Sequence, residues 1–180
     1  MQVETFEIEG LKRITPDVFG DERGWFYESF NQDKFLAMGI DVSFAQNNHS
    51  CSVKNTLRGL HFQTSPGQAK LVRCTLGRVW DVSVDLRPQS PTFGKWQATE
   101  LDDQKRQMFF IPVGFAHGFC VLSDVAEFQY SCSTVYNGAT EAGIAWDDPE
   151  LAVAWPVSAP LLSKRDLGNQ SFAEFRAKGM

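Results

Sequence analysis

The stretch IPVGFAHGF, residues 111–119, takes a strand-like run into a proline- and glycine-containing turn and then to a histidine. The preceding residues, MFFIPV at 108–113, are apolar and aromatic, as in a buried strand, and proline and glycine end such runs. A second histidine, His61, lies in a comparable setting, LRGLHFQ at 57–63. A histidine near a strand end and a glycine is well placed for chemistry, so His61 and His117 are the first candidate site residues.

Working outward from this stretch, the chain consists mainly of short β-branched or aromatic runs bounded by Gly, Pro, Asp or Asn. Such runs predict strands, and they occur at 71–76, 79–86, 108–113 and 127–136. Helical periodicity is weak and confined to 31–38 and 171–177. Strands and helices do not alternate, which argues against a parallel α/β sheet. We therefore expect an all-β domain over 1–180, a jelly-roll sandwich or barrel with short peripheral helices.

Side-chain alternation assigns residues to faces within two of these strands, because neighbouring residues of a strand point to opposite sides. In 127–136 one face is formed by alternate residues that are mostly aromatic or thiol-containing: Phe128, Tyr130, Cys132, Thr134 and Tyr136. In 79–86 the polar residues Asp81, Ser83 and Asp85 share one face and the apolar residues share the other. The polar face suits either the interior of a barrel that holds a polar ligand or a solvated outer surface.

Composition restricts the kind of partner and the compartment. The 180 residues carry a formal net charge of −5 without acidic or basic blocks, so neither a nucleic-acid nor a membrane partner is expected. The four cysteines have no metal-ligand spacing, and the acidic start has no signal-peptide character. We expect a cytoplasmic protein with reduced thiols. A small anionic ligand remains compatible with this composition.

The histidine segments also bear on metal binding. PVGFAH resembles the PxGxxH core of the second cupin motif, whose first motif normally supplies an HxH pair to a metal. Here the first motif is His61-Phe62-Gln63, and glutamine is a poor ligand for a first-row cation. A metal is therefore not expected, and the histidines are free to act as bases. Cations suited to a diphosphate or an enolate accompany them, namely Arg23, Arg58, Lys70 and Arg165.

Ordered motifs along nearly the whole chain resemble the dTDP-4-dehydrorhamnose 3,5-epimerase family. They are DERGWFYESF at 21–30, FAQNNHS at 44–50, LRGLHFQ at 57–63, QAKLVRC at 68–74, IPVGFAHGF at 111–119, FQYSCSTVY at 128–136, WDDP at 146–149 and SKRD at 163–166. Several are weak singly, but their order is specific. The chain departs from the family pattern at Arg165, where lysine is usual, and at Asn47, where aspartate is common.

The resemblance implies a role for each candidate residue. His61 matches the catalytic base, Asp166 the carboxylate paired with it, and Tyr130 the acid on the opposite face. Lys70 matches the cation near the C4 oxygen. The residues expected to bind the substrate are Arg23, Phe26, Glu28, Gln46, Asn48, Arg58, His117, Tyr136 and Arg165. The resemblance also implies a homodimer in which the segment 21–30 is exchanged and serves the neighbour's site.

The chemistry agrees with these residue types. Protons on C3 and C5 are acidified by the C4 ketone, so a neutral histidine is a sufficient base once the enolate is stabilised. Proton transfer needs no redox cofactor, and the sequence contains neither a GxGxxG motif nor a P-loop. The alternatives are a single-site epimerase or 3,4-ketoisomerase, a catalytically silent sugar-nucleotide-binding cupin, and a metal-dependent cupin.

One geometric difficulty leads to a specific prediction. Arg58 and His61 are three residues apart, so a regular strand would send their side chains to opposite faces. Both can enter one pocket only if the strand bulges or bends, and glycine is the residue at which strands do so. We predict an irregularity at Gly59–Leu60.

Overall fold

The computed structural model describes residues 1–179. These residues form thirteen β-strands: Gln2–Thr5 (β1), Lys12–Thr15 (β2), Val18–Asp21 (β3), Gly24–Tyr27 (β4), Gln46–Val53 (β5), Leu57–Gln63 (β6), Lys70–Leu76 (β7), Arg78–Asp85 (β8), Trp96–Asp102 (β9), Met108–Ile111 (β10), Phe115–Val121 (β11), Val125–Cys132 (β12) and Glu141–Gly143 (β13). The described residues also form two short α-helices, Gln32–Ala37 (α1) and Phe172–Ala177 (α2), and one 3-10 turn, Asp166–Gly168.

The strands form two antiparallel sheets and a separate hairpin. One sheet has the order β1-β2-β10-β7-β12-β5 and the other β13-β6-β11-β8-β9, while β3 and β4 pair only with each other. Phe109 and Phe128 of the first sheet pack with Phe119 and Leu101 of the second, so the main core lies between the sheets. The predicted all-β jelly roll with short peripheral helices is confirmed. No helix in residues 1–179 is long and apolar enough to cross a membrane.

The helices occur where they were predicted because each has a capping residue at its start. Asn31 accepts a hydrogen bond from the backbone N–H of Lys34, and Ser171 forms a reciprocal capping box with Glu174. Helix α2 buries Phe172 and Phe175 against the outer face of the second sheet. This packing compensates for the small intrinsic stability of a helix of six residues.

The predicted strand at 127–136 is too long, since β12 ends at Cys132. Cys132 pairs with Lys70, the first residue of β7, and with Gln46, the first residue of β5. Beyond this point neither neighbouring strand continues, so the backbone has no ladder to join. Residues 133–140 are instead a loop, and Tyr136 lies on it.

The polar face of β8 points inward. Asp81 and Ser83 are fully buried, and Asp81 accepts a hydrogen bond from the His117 ring on β11. The alternate residues, including Trp80 and Val82, pack on the other side of the sheet against the C-terminal segment. Of the two interpretations left open by the sequence, the solvated outer surface is therefore wrong, and the polar face belongs to the buried interior.

Strand β6 has the predicted irregularity. Its pairing with β11 matches His61 to His117 and Arg58 to Phe119, so the register shifts between them. The peptide bond between Gly59 and Leu60 is cis, and Gly59 has φ of 140°. A Cβ on Gly59 would lie 2.5 Å from the Cα of Gly118, so glycine permits this close approach of two strands. Arg58 and His61 both line one cavity as a result.

Candidate active site

A cavity with a volume of about 680 Å³ opens between the two sheets. The second sheet contributes residues of β6 and β11, and the first contributes residues of β5, β7 and β12. The segment before the 3-10 turn closes one side with Leu161, Leu162 and Ser163. A volume of this size suits a nucleotide-sized ligand.

His61 and Asp166 form a hydrogen-bonded pair on one wall. The Nε2 of His61 lies 2.5 Å from Oδ1 of Asp166, and the hydroxyl of Ser163 donates to Oδ2 at 2.8 Å. Burial by itself would raise the pKa of Asp166, but the hydrogen bonds from His61 and Ser163 outweigh it and lower that pKa. Because a carboxylate can only accept, Nε2 of His61 carries a proton and Nδ1 is the basic nitrogen.

His117 lies beside His61 on the same sheet and has its own carboxylate. The two histidines are paired residues of β6 and β11, and the His117 Nε2 lies 2.8 Å from Oδ2 of the fully buried Asp81. Burial lowers the pKa of His117, although the charge of Asp81 opposes the shift. A neutral His117 gives its one N–H to Asp81, so its Nδ1 can only accept a hydrogen bond, and the ring adds no positive charge to the cavity.

Tyr130 and Lys70 face these histidines from the opposite sheet. Burial raises the pKa of Tyr130, with the nearby Arg58 charge opposing it. Burial lowers the pKa of Lys70, with Cys132, Asp81 and Glu141 opposing the shift. Within residues 1–179 the Lys70 amine makes a single long hydrogen bond of 3.5 Å, to the carbonyl oxygen of His61. The cavity therefore contains a protonated phenol and an amine that is nearly free to bind an anionic oxygen.

The remaining predicted residues of the body of the protein surround the cavity mouth. Gln46 and Asn48 project from alternate positions of β5 and hydrogen-bond to each other at 2.9 Å. Arg58 donates twice to the hydroxyl of Ser52, at 3.1 and 3.0 Å. Tyr136 and Arg165 also line the cavity, and the backbone N–H of Tyr136 donates to Oε1 of Gln46 at 2.7 Å. This arrangement offers amides, a guanidinium and an aromatic ring to a ligand that enters.

Three predicted residues are not part of this cavity. Arg23 and Phe26 lie on the β3–β4 hairpin, where Phe26 is 69% exposed and Arg23 pairs with Asp21. Glu28 follows the hairpin and pairs with Lys34 at 2.8 Å. Within a single chain none of the three lines the cavity. Their expected place in a neighbour's site stays a prediction.

Glu141 is a cavity residue that the sequence motifs did not indicate. It begins the short strand β13; one of its oxygens accepts a hydrogen bond from the Tyr136 hydroxyl at 2.6 Å, and the other forms an ion pair with the Arg165 guanidinium at 2.6 Å. Its position becomes apparent only from pairing, because β13 is the neighbour of β6 and Gly143 is paired with His61. A three-residue strand after the Asn137-Gly138 turn has too little alternation to be identified from sequence.

His61 and His117 each bond a carboxylate through Nε2, and the amide oxygen of Gln63 accepts a hydrogen bond from Thr140 at 2.5 Å. Within residues 1–179 no three His, Cys, Asp or Glu side chains cluster as metal ligands.

Comparison with known proteins places this geometry in context. A family model described as dTDP-4-dehydrorhamnose 3,5-epimerase matches residues 5–174. The chain is 51% identical to the dTDP-4-dehydrorhamnose 3,5-epimerase of Shigella flexneri, over 97% of each chain. It is 45% identical to a dTDP-4-dehydrorhamnose 3-epimerase of Streptomyces niveus, over 100% of this chain and 88% of the relative. The rmlC epimerase of Mycobacterium tuberculosis superposes with a TM-score of 0.96 at 43% identity, covering 99% of this chain and 92% of that one.

Proposed function

The chain belongs to the dTDP-4-dehydrorhamnose 3,5-epimerase family, and from this premise we propose that it inverts C3 and C5 of dTDP-4-dehydro-6-deoxy-D-glucose. The product is dTDP-4-dehydro-L-rhamnose, an intermediate of deoxysugar biosynthesis. The observation that carries the proposal is the arrangement of the cavity, with a histidine–carboxylate pair on one sheet and a buried phenol on the other. Inversion of a carbon centre needs a base and an acid on opposite faces, and this cavity supplies both.

The reaction begins when Nδ1 of His61 removes the proton from C3 or C5. The electron pair of the broken C–H bond moves into the ring and gives an enolate whose negative charge lies on the C4 oxygen. Asp166 stabilises the imidazolium that forms, because its ionised carboxylate accepts a hydrogen bond from the N–H of the other ring nitrogen. Ser163 holds the second oxygen of Asp166 and so fixes the carboxylate in this orientation.

Lys70 stabilises the enolate. Its amine is buried and makes one weak hydrogen bond within the described residues, so it is available to the C4 oxygen as charge develops. Electrostatic stabilisation of this kind is strong in a cavity from which water is excluded. His117 gives its N–H to Asp81, so in its neutral form it can accept a hydrogen bond from a sugar hydroxyl through Nδ1.

Tyr130 completes the inversion by delivering a proton from the other face. Burial keeps its pKa above the ordinary value, so the hydroxyl is protonated at neutral pH and can donate. The carbon gains one proton for the one it lost. No oxidant, reductant or cofactor takes part in the proposed reaction.

The test is isotope exchange in heavy water with dTDP-4-keto-6-deoxyglucose, followed by mass spectrometry. Incorporation of two deuterons, at C3 and C5, supports the proposal. If no deuterium is incorporated while a known family enzyme is active under the same conditions, the proposal is contradicted. His61→Asn should abolish exchange. Tyr130→Phe should retain some exchange but lose inversion, and complete epimerisation by this variant would remove Tyr130 from its role.

A single-site epimerase is the second candidate. The Streptomyces niveus relative, named as a 3-epimerase, is 45% identical over the whole of this chain. One deuteron, at C3 only, in the same experiment would select this function. The base and the acid are the same in both reactions, so the distinction depends on how the sugar ring turns between the two steps.

We further propose that the protein is a cytoplasmic homodimer in which Arg23, Phe26 and Glu28 complete the neighbour's site. The hairpin that carries Arg23 and Phe26 pairs with neither main sheet, and its aromatic side chains are exposed, including Phe19 at 66% and Trp25 at 58%. Large exposed apolar side chains in one element mark an interaction surface. Mixing His61→Asn chains with Arg23→Ala chains should restore activity in mixed dimers if the hairpin is exchanged.

A further inference from the structure

The β3–β4 hairpin contacts the turn between β9 and β10, residues 103–107, at two points. Just before the hairpin begins, the hydroxyl of Thr15 accepts a hydrogen bond from the side-chain amide of Gln107 at 3.0 Å. On the second strand of the hairpin, the ring centre of Trp25 lies 4.2 Å from the guanidinium carbon of Arg106, which is within the range of a cation–π contact. Because the hairpin pairs with neither main sheet, its orientation depends on side-chain contacts such as these.

Arg106 makes its contact from a rigid and unfavourable backbone position. Its φ is 54°, in the left-handed region that favours glycine. The turn is fixed there because Oδ1 of Asp102 accepts the backbone N–H groups of Gln104 and Lys105, at 2.9 and 2.6 Å. The Nε of Arg106 is buried without a hydrogen-bond acceptor in residues 1–179, and a desolvated cation binds an aromatic face more strongly. Glycine would suit this backbone better, so the contribution of position 106 is its side chain.

Side-chain alternation turns this one contact into an orientation for the whole hairpin. Trp25 and Phe26 are consecutive residues of β4, so their side chains lie on opposite faces. Tyr27 shares the face of Trp25 and stacks on its ring, with ring centres 5.4 Å apart. Phe19 is paired with Phe26 across the hairpin. With Trp25 turned toward Arg106, these two phenylalanines point away from the contact, and both are exposed.

We propose that Arg106 is a positioning residue that holds Trp25, and with it the hairpin, so that Phe26 and Phe19 are presented to a neighbouring chain. Arg106 does not line the cavity of its own chain, so its effect on activity falls on the neighbour's cavity. That effect rests on the proposed exchange of the hairpin in a dimer, whereas the contact itself can be observed without turnover.

The first experiment observes the contact by ¹⁹F NMR. The protein has five tryptophans, so labelling with 5-fluorotryptophan gives five signals, and Trp25→Phe assigns the one from the hairpin. Arg106→Gly removes the guanidinium and relieves the positive φ. The Trp25 signal should therefore move toward its position in the unfolded protein, while the melting temperature stays within about 2 °C of wild type or rises. Arg106→Lys keeps the charge without the planar group and should give a smaller shift.

Ala152→Gly is the matched control for the backbone change. Ala152 also has a positive φ, 46°, and it lies outside both the hairpin and the cavity. This variant should leave the Trp25 signal and KM at their wild-type values. A Trp25 signal that does not move in Arg106→Gly would show that the contact is absent in solution and would overturn the proposal.

The second experiment locates the effect in the neighbouring chain. In the Arg106→Gly homodimer KM should rise about tenfold, the loss expected for a misplaced aromatic contact, with kcat within about threefold. Chains carrying Arg106→Gly and chains carrying His61→Asn are then co-expressed with different tags and purified as mixed dimers. The remaining His61 lies in the Arg106→Gly chain, whose cavity receives the intact hairpin of the other chain. KM should therefore return to the wild-type value, with half the activity per dimer.

The outcomes separate this proposal from the proposed reaction. A KM that stays raised in the mixed dimer would mean that Arg106 acts on its own cavity, and a wild-type KM in the Arg106→Gly homodimer would mean that the hairpin does not depend on it. A monomeric wild-type protein in sedimentation would also contradict the proposal. If the wild type is a dimer that does not epimerise the sugar, only the reaction fails. Mixed dimers are then compared by dTDP affinity, with Arg58→Ala in place of His61→Asn as the change that silences one cavity.

Discussion

Replacing Gly59 by alanine tests the close approach of β6 and β11 that brings Arg58 and His61 into one cavity. The new Cβ would lie 2.5 Å from the Cα of Gly118 and 3.0 Å from the carbonyl oxygen of His117. These are backbone atoms of a central strand, so no side-chain rotation can relieve the overlap. Gly59 also has a φ of 140°, which is unfavourable for alanine.

The expected cost follows from these two contributions. Overpacking a tight site costs about 2 kcal/mol and an unfavourable backbone conformation about 1 kcal/mol, so we expect a loss of about 3 kcal/mol in the free energy of unfolding. For a chain of this size that corresponds to a melting temperature lower by roughly 10 °C. If the strands separate instead, His117 and His61 move apart, and a displacement of about 1 Å reduces kcat by about a hundredfold.

The assay combines thermal unfolding by circular dichroism with the epimerisation rate. Gly168→Ala is the matched control, because its Cβ would meet no heavy atom within 4 Å, and we expect its stability to stay within about 0.5 kcal/mol of wild type. Gly118→Ala approaches the same contact from the other strand, where its Cβ would lie 2.7 Å from the carbonyl oxygen of Arg58. A Gly59→Ala protein with wild-type melting temperature and activity would refute the reasoning.

Three further changes give distinct outcomes. Lys70→Met should lower kcat by at least about a hundredfold, because the variant lacks the amine that stabilises the enolate. Its free energy of unfolding should be equal to that of wild type or up to about 2 kcal/mol higher, because the amine is buried with one weak hydrogen bond in the described residues. Steady-state kinetics measures the first effect and urea unfolding the second. The pKa of Asp166 is lowered in the folded protein, so its ionisation stabilises the fold above about pH 4 and this increment is lost as pH falls through the folded value. The stability advantage of wild type over Asp166→Asn should therefore shrink on acidification, and an advantage that grows instead would contradict the direction of the shift. Ser171→Ala removes the capping box of α2 and should cost about 1 kcal/mol in thermal unfolding with unchanged kcat; a change below about 0.2 kcal/mol would mean that the cap contributes nothing.

Much of the candidate site could be predicted because its residues lie in ordered motifs. His61, Lys70 and Tyr130 were identified as candidates from the sequence, and the structure brings them into one cavity. Glu141 was missed because its strand has only three residues and its importance arises from pairing with β6. The end of β12 was also misplaced, since the side-chain pattern continues to Tyr136 although the neighbouring strands do not.

The amino-acid sequence by itself determined the local properties of the protein: short strands, capped helices, a histidine motif without a second metal-binding imidazole, and a glycine where β6 had to deviate. Each depends on residue type and near neighbours, so periodicity and conformational preference are sufficient to predict it. The folded structure was needed to show that the polar face of β8 is buried and that Glu141 contacts both Tyr136 and Arg165. The contact of Asp166 with His61, 105 positions apart, was implied by the family resemblance but not by local sequence pattern. Such contacts depend on the order in which distant strands pair, and the free energy of that pairing comes from burial between the two sheets rather than from local sequence.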